Sequence, residues 1–339
     1  MNYVRRASKS LRIGAALVLA VFALAVAGAA NPAQAQTSTS PGDGSSPAVT
    51  HNTWTSGAPL PTPVASAAAA VLKNQIYVVG GDNGTGAVAD MQIYNPSTNA
   101  WSTGMSYPAA IEGASAAVVK NILYVFGGTP GGGTPTNAVW AYNPKSKTWT
   151  GKAAMPTARW DTAAMVEKNI VYVIGGTVSP TNFVATVESY NPATNTWTEE
   201  APMLGIKLSP AAGLLGTTIV SADGATQPGQ ITGDTEGYTA ATNTWTDLTA
   251  DPTARVFSCS GGIGSKLFDV GGYLNNAGAA TAVNESFQLS KNKWTTTLAP
   301  MPQGTMLGAS AVYKGQLYCI GGWARWLGPP INNVQIYQP

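Results

Sequence analysis

Histidine is nearly absent from this chain: 339 residues contain one, His51. Without clustered His or Cys the usual transition-metal centre has no ligand set, so a copper oxidase or zinc hydrolase is left without donors. Covalent catalysis is equally short of parts, since no G-x-S-x-G elbow occurs and no base stands beside an obvious nucleophile. Charge is scarce too, at 10% of residues. Of the 18 Lys and Arg, four (Arg5, Arg6, Lys9 and Arg12) fall in the first twelve residues, leaving 14 against 16 Asp and Glu. A net charge of about −2 beyond that segment gives no footprint for nucleic acid. Long apolar runs are absent except for one, Ile13 to Ala30.

That run, preceded by the four cations and followed by Ala33-Gln34-Ala35, reads as a secretory signal peptide over residues 1–35, cut after Ala35. Retention as an N-terminal anchor is the alternative. Residues 36–50 are a Ser/Thr/Pro/Gly linker, read as disordered. The remainder, 51–339, is expected to be secreted or periplasmic, monomeric and free of any membrane span. Cys259 and Cys319 could pair in an oxidising compartment. Both lie in apolar segments of neighbouring repeats, where a free thiol behaves as a small hydrophobe. Unpaired buried thiols are therefore the expectation, with a bridge as the alternative.

What the chain does have is a repeat. Trp54, Trp101, Trp149, Trp197, Trp245 and Trp294 recur at spacings of 47, 48, 48, 48 and 49 residues. Gly80-Gly81, Gly127-Gly128, Gly175-Gly176, Gly271-Gly272 and Gly321-Gly322 keep the same register, with a degenerate Asp223-Gly224 in the remaining unit. An aromatic does likewise at Tyr94, Tyr142, Tyr190, Tyr238, Phe287 and Tyr337. Within a unit, short β-branched or aromatic runs are bounded by turn residues, as in IYVVGG, MQIYNP and STNAWST, and read as strands. A hairpin, the Tyr strand and the Trp strand make four strands per unit of about 48 residues. The last unit has a Tyr strand but no Trp strand after it, whereas Trp54 stands in front with no hairpin before it. The last blade is thus expected to take its outer strand from residues 51–58.

A diglycine, a spaced Tyr and a spaced Trp resemble the kelch-repeat family. The resemblance covers residues 51–339 and implies an all-β, six-bladed propeller of four-stranded blades. Rings found in all six units are read as packing wedges. Function is sought where one unit departs from the others, on the face shared by the loops after the diglycines and the connections into each first strand.

That face carries Arg159, Trp160 and Asp161, Arg255 at the matching place, Glu112, Phe183, and a final loop with Trp323, Arg325 and Trp326. Arginines and aromatics compose a recognition surface for a protein or glycan, and kelch domains resembling this one often bind partners there. The competing reading has both arginines closing local salt bridges. Non-catalytic binding is the preferred function. The alternative is a periplasmic sugar epimerase or mutarotase resembling the kelch sialic-acid epimerases, with Arg159, Arg255, Glu112 and Asp161 as candidate groups. Asp82-Asn83-Gly84 reads as a turn rather than a calcium loop, and no cofactor is expected.

Overall fold

The computed structural model describes residues 51–274 and 278–339; the expected signal peptide (1–35) and linker (36–50) lie outside the described residues. Six four-stranded antiparallel sheets make the six expected blades. Blade 1 runs Ala68–Leu72, Gln75–Val79, Met91–Asn95 and Ala100–Thr103 from the axis outward, and blade 2 Ser115–Val119, Ile122–Phe126, Val139–Asn143 and Thr148–Gly151. Blade 3 is Ala163–Glu167, Ile170–Ile174, Val187–Asn191 and Thr196–Glu199; blade 4 is Ala211–Leu215, Thr218–Ala222, Thr235–Thr239 and Thr244–Leu248. Blade 5 has Cys259–Ile263, Lys266–Val270, Asn284–Gln288 and Lys293–Thr295, with a single 3-10 turn, Leu289–Lys291, before its last strand. Blade 6 has Ala309–Tyr313, Gln316–Ile320 and Val334–Gln338, and its outer strand is Thr53–Ser56, paired Thr53 to Gln338 and Ser56 to Gln335.

Burial follows position. The second and third strands are covered on both faces by adjacent blades, so runs such as IYVV and LYVF are apolar at every residue instead of alternating. Outer strands are exposed except at the Trp. In blades 1, 2, 3 and 6 the first and second strands join through two-residue turns whose residues both take left-handed backbone, Lys73 and Asn74 at φ 49° and 63°, for example. Turns of that kind match the right-handed twist of the strands.

The repeat residues hold blade to blade. Each of the six Trp indoles donates to a backbone carbonyl in the connection from the preceding blade, Trp101 to Ala58 at 2.8 Å and Trp245 to Ala201 at 2.9 Å, for example. The second glycine of each pair donates its N–H to the next blade's lead-in carbonyl, Gly81 to Ile111 at 2.7 Å and Gly128 to Arg159 at 2.9 Å. At the first glycine a Cβ on Gly80 would stand 2.3 Å from the Ile111 carbonyl oxygen, at φ 67°. The diglycines are therefore close-approach devices between blades.

Cys259 and Cys319 are joined in a disulfide, with Cα atoms 5.8 Å apart and a sequence separation of 60. The expectation of free thiols is corrected. The innermost strand of blade 5 faces the second strand of blade 6, which brings the two apolar positions within bonding range.

Candidate functional site

Innermost strands surround an axial cavity of about 200 Å³, lined mainly by small residues, with Ser115, Thr162, Ser258, Ser260 and Ser310 among them. One end is closed by a ring of six residues, one per blade, all with positive φ: Ser66, Gly113, Asp161, Ser209, Phe257 and Leu307. Their backbones hydrogen-bond in series, Gly113 N to Ser66 O at 2.8 Å, Asp161 N to Gly113 O at 2.7 Å and Ser66 N to Leu307 O at 2.8 Å. The left-handed turn lets each blade lean on the next at the narrowest radius.

Above this ring the residue before each ring member bridges to the residue after each diglycine: Ala65 to Asp82, Glu112 to Thr129, Trp160 to Thr177, Leu208 to Ala225, Val256 to Tyr273 and Met306 to Trp323. The two sets of loops do share one face. Trp160, Phe183, Leu208, Val256, Phe257, Tyr273, Met306 and Trp323 are buried there in one apolar cluster that caps the channel.

The candidate residues separate accordingly. Arg159 is 0% exposed; its Nη1 donates to the Gly175 and Thr186 carbonyls at 2.7 and 2.9 Å, and its Nη2 to Glu188 at 2.8 Å. Arg255 is 0% exposed and bound by Asp251, Asp269 and Glu285. Both guanidiniums point into their blades, so the exposed recognition arginines expected from sequence are instead internal ion-pair members. Position in the chain put them at the face, but the side chains run back along it. Trp160, Phe183 and Trp323 are also corrected from exposed aromatics to cap residues.

Arg325 is exposed and Trp326 half-buried. The Trp326 ring packs edge-on against Tyr273 and Phe257, with centroids 4.7 and 6.1 Å away. Leu327, passed over in the sequence, extends beyond them at 86% exposure with φ 58°.

Glu112 is the charged exception in the ring of residues preceding the closure. It is 5% exposed and its Oε2 has no hydrogen-bond partner. Burial pushes its carboxyl up to about 8, with Asp82 and Asp161 adding like charge. Asp161 lines the cavity, and burial raises it to about 7. Perturbed carboxyls of this kind suit acid-base chemistry. The arginine an epimerase would set beside them is not supplied by Arg159 or Arg255, whose charges are spent inside the blades.

Two groups of residues escaped the sequence reading. Lys207 repeats the Arg159 position one blade on and pairs with Glu236 at 2.9 Å. Asp223, Asp251 and Asp269 gather around Arg255. Alignment of the units by their diglycines would have revealed both, because the lead-in residue lies a fixed distance before each pair.

A six-bladed propeller with inter-blade Trp and diglycine contacts defines the class. The sequence pattern of the KLHDC2/KLHL20/DRC7 Kelch-repeats domain matches residues 45–221, more than half of the chain, and the chain belongs to that kelch-repeat family. A solved structure titled "Structure of YjhT" shares the fold with a TM-score of 0.70 and 18% identity, over 81% of this chain and 95% of that one. No curated protein matches the sequence.

Proposed function

We propose that this propeller is a non-catalytic, extracytoplasmic binding module that holds a protein partner on its loop face, through Arg325, Trp326 and Leu327. The carrying observation is Leu327. An apolar side chain that is 86% exposed and held in left-handed backbone costs the isolated fold energy and buries nothing in return. A partner's apolar pocket would reverse that balance. The loop is braced for it: Trp326 N donates to Gly278 O at 3.1 Å, and Arg325 bridges to Ala279. An aromatic ring and an exposed guanidinium are among the usual anchors of a protein contact.

The kelch family supports the reading, since propellers of this kind commonly serve protein interaction. An extracytoplasmic location is supported by the leader-like N-terminus and by the Cys259–Cys319 bridge, which persists in oxidising surroundings. No described helix is long and apolar enough to cross a membrane.

The test is a photo-crosslinking residue at position 327 in the native host, with one at Met105, an exposed apolar residue (53%) on a different loop, as control. A discrete adduct at 327 that is absent at 105 and lost with Arg325→Glu is expected. Equal adducts at both positions sink the proposal, as does binding on a glycan or peptidoglycan array that Trp326→Ala leaves unchanged.

A further inference from the structure

Blades are built to one pattern, so a position where a single blade departs marks something a blade does not itself need. Three such departures meet beside Arg255. Asp223 occupies the first place of the diglycine, filled by Gly80, Gly127, Gly175, Gly271 and Gly321 elsewhere. Its φ of 56° keeps the glycine-like backbone, so the carboxyl has been added where the other blades make their closest approach. Asp251 stands where the matching hydrogen bond in other blades is made by Leu60, Tyr107, Met155, Met203 and Met301. Asp269 stands where the second strands carry Val78, Val125, Val173, Ser221 and Cys319.

Neighbouring blades show what a buried cation at the lead-in position requires. Arg159 has one carboxylate, Glu188, and Lys207 has one, Glu236. Arg255 has the corresponding Glu285 at 2.7 Å and then Asp251 and Asp269 at 3.1 Å, with Asp223 farther off at 3.7 Å. All four acids are buried. One guanidinium against four carboxylates would leave three negative charges, were all four ionised, where water cannot solvate them, a cost that a bound cation or protons must relieve. The acids are also incompletely used: neither oxygen of Asp223 has a hydrogen-bond partner, nor has Oδ1 of Asp269. Oxygens of Asp223, Asp251 and Asp269 lie within 4.8 Å of one another, a span that ligands at about 2.3–2.6 Å from one ion can bridge.

We propose that Asp223, Asp251 and Asp269 form a buried site for one hard divalent cation, Ca²⁺ by preference, that fastens blade 4 to blade 5. The donors are all carboxylate oxygens, which select Ca²⁺ or Mg²⁺ over zinc or copper. Ca²⁺ gives up its water more readily than Mg²⁺ and so suits a site shut between two blades. With Arg255 it brings the four carboxylates to within one charge of neutrality.

Because the site is closed to solvent, the test loads it during folding. The full chain is unfolded without reductant and refolded with Ca²⁺, with Mg²⁺ or with chelator, and its metal content and unfolding midpoint are measured. About one Ca²⁺ per chain and a midpoint raised by several degrees over the chelator sample are expected. Asp223→Gly restores the residue of the other five blades, and Asp251→Met that of three of them. Both should fold, carry no ion and show the same midpoint with and without Ca²⁺. Wild-type protein that takes up no Ca²⁺, or an Asp223→Gly variant that holds as much as wild type, overturns the site and leaves the surplus charge to protons.

Discussion

Trp54 and Tyr337 face each other across the strand pair that closes the propeller, ring centroids 5.0 Å apart and tilted by 39°. The geometry within blades 1, 3 and 4 is the same, at 5.0 Å for Tyr94–Trp101, Tyr190–Trp197 and Tyr238–Trp245. Ring closure therefore uses the contact that builds each blade, although the partners are far apart in sequence. Tyr337 Oη even donates to Asn52 Oδ1 at 2.8 Å, as Tyr94 Oη does to Asn99 at 2.6 Å. Trp54→Ala should then cost as much as Trp101→Ala, about 2–3 kcal/mol for a half-buried indole with one hydrogen bond. Urea unfolding of the two variants checks this. A Trp54→Ala variant as stable as wild type would mean that the closing strand adds nothing.

Arg159→Ala leaves Glu188 buried without its cation, and the loss should be about 3–5 kcal/mol. Partner binding per folded molecule should stay unchanged, since the guanidinium never reaches the surface. Denaturant midpoints give the first quantity, and titration of folded protein gives the second. If Arg159→Ala keeps its stability but loses binding, the side chain turns outward in solution.

Much of this was legible because a repeat repeats its physics. Six Trp at even spacing gave the blade count, and the diglycines gave the close contacts, since Gly80 and its counterparts touch a carbonyl that any Cβ would strike. The loop face was also found correctly from strand order. What sequence could not give was side-chain direction. Arg159 and Trp160 are adjacent, yet one runs down between strands and the other caps the channel, because successive extended residues point to opposite sides. Exposure at Leu327 was illegible for a related reason: it depends on which loop overhangs the cap, and that is set by packing of Trp326 on Tyr273 from another blade. The bridge between Cys259 and Cys319 needed the distance between two blades, which no spacing of 60 residues encodes.

That bridge closes a long loop of the unfolded chain, and loop-closure entropy gives it about 4 kcal/mol. Reduction under denaturing conditions followed by alkylation should lower the refolded midpoint, and Cys259→Ala with Cys319→Ala should do the same. Replacement of both by small apolar residues keeps the packing, so an undiminished midpoint in the double variant would show that the covalent link is dispensable.

Glu112 gives a pH dependence whose sign is fixed. Its folded carboxyl titrates near 8 against 4.5 for the free group, so the folded protein holds a proton that the unfolded chain has released. The associated stability is complete below about pH 4.5 and is lost as pH rises toward 8, after which it is flat. The decline should be on the order of 3 kcal/mol, at about 1.4 kcal/mol per unit with some relaxation of the site. Glu112→Gln keeps the shape, never ionises, and should remove that share of the decline. Asp161, raised to about 7 by burial, adds a similar slope over a lower range, from about 3.8 to 7, and Asp161→Asn should remove it without disturbing the left-handed turn, which Asn tolerates. Unfolding free energies of wild type and both variants between pH 5 and 8.5 provide the measurement, read as differences so that other titrating groups cancel. A Glu112→Gln curve parallel to wild type would mean that the carboxyl is hydrated at the channel mouth; convergence of the two curves toward pH 5 and a gap that widens steadily up to about pH 8 would mean that it is a buried acid.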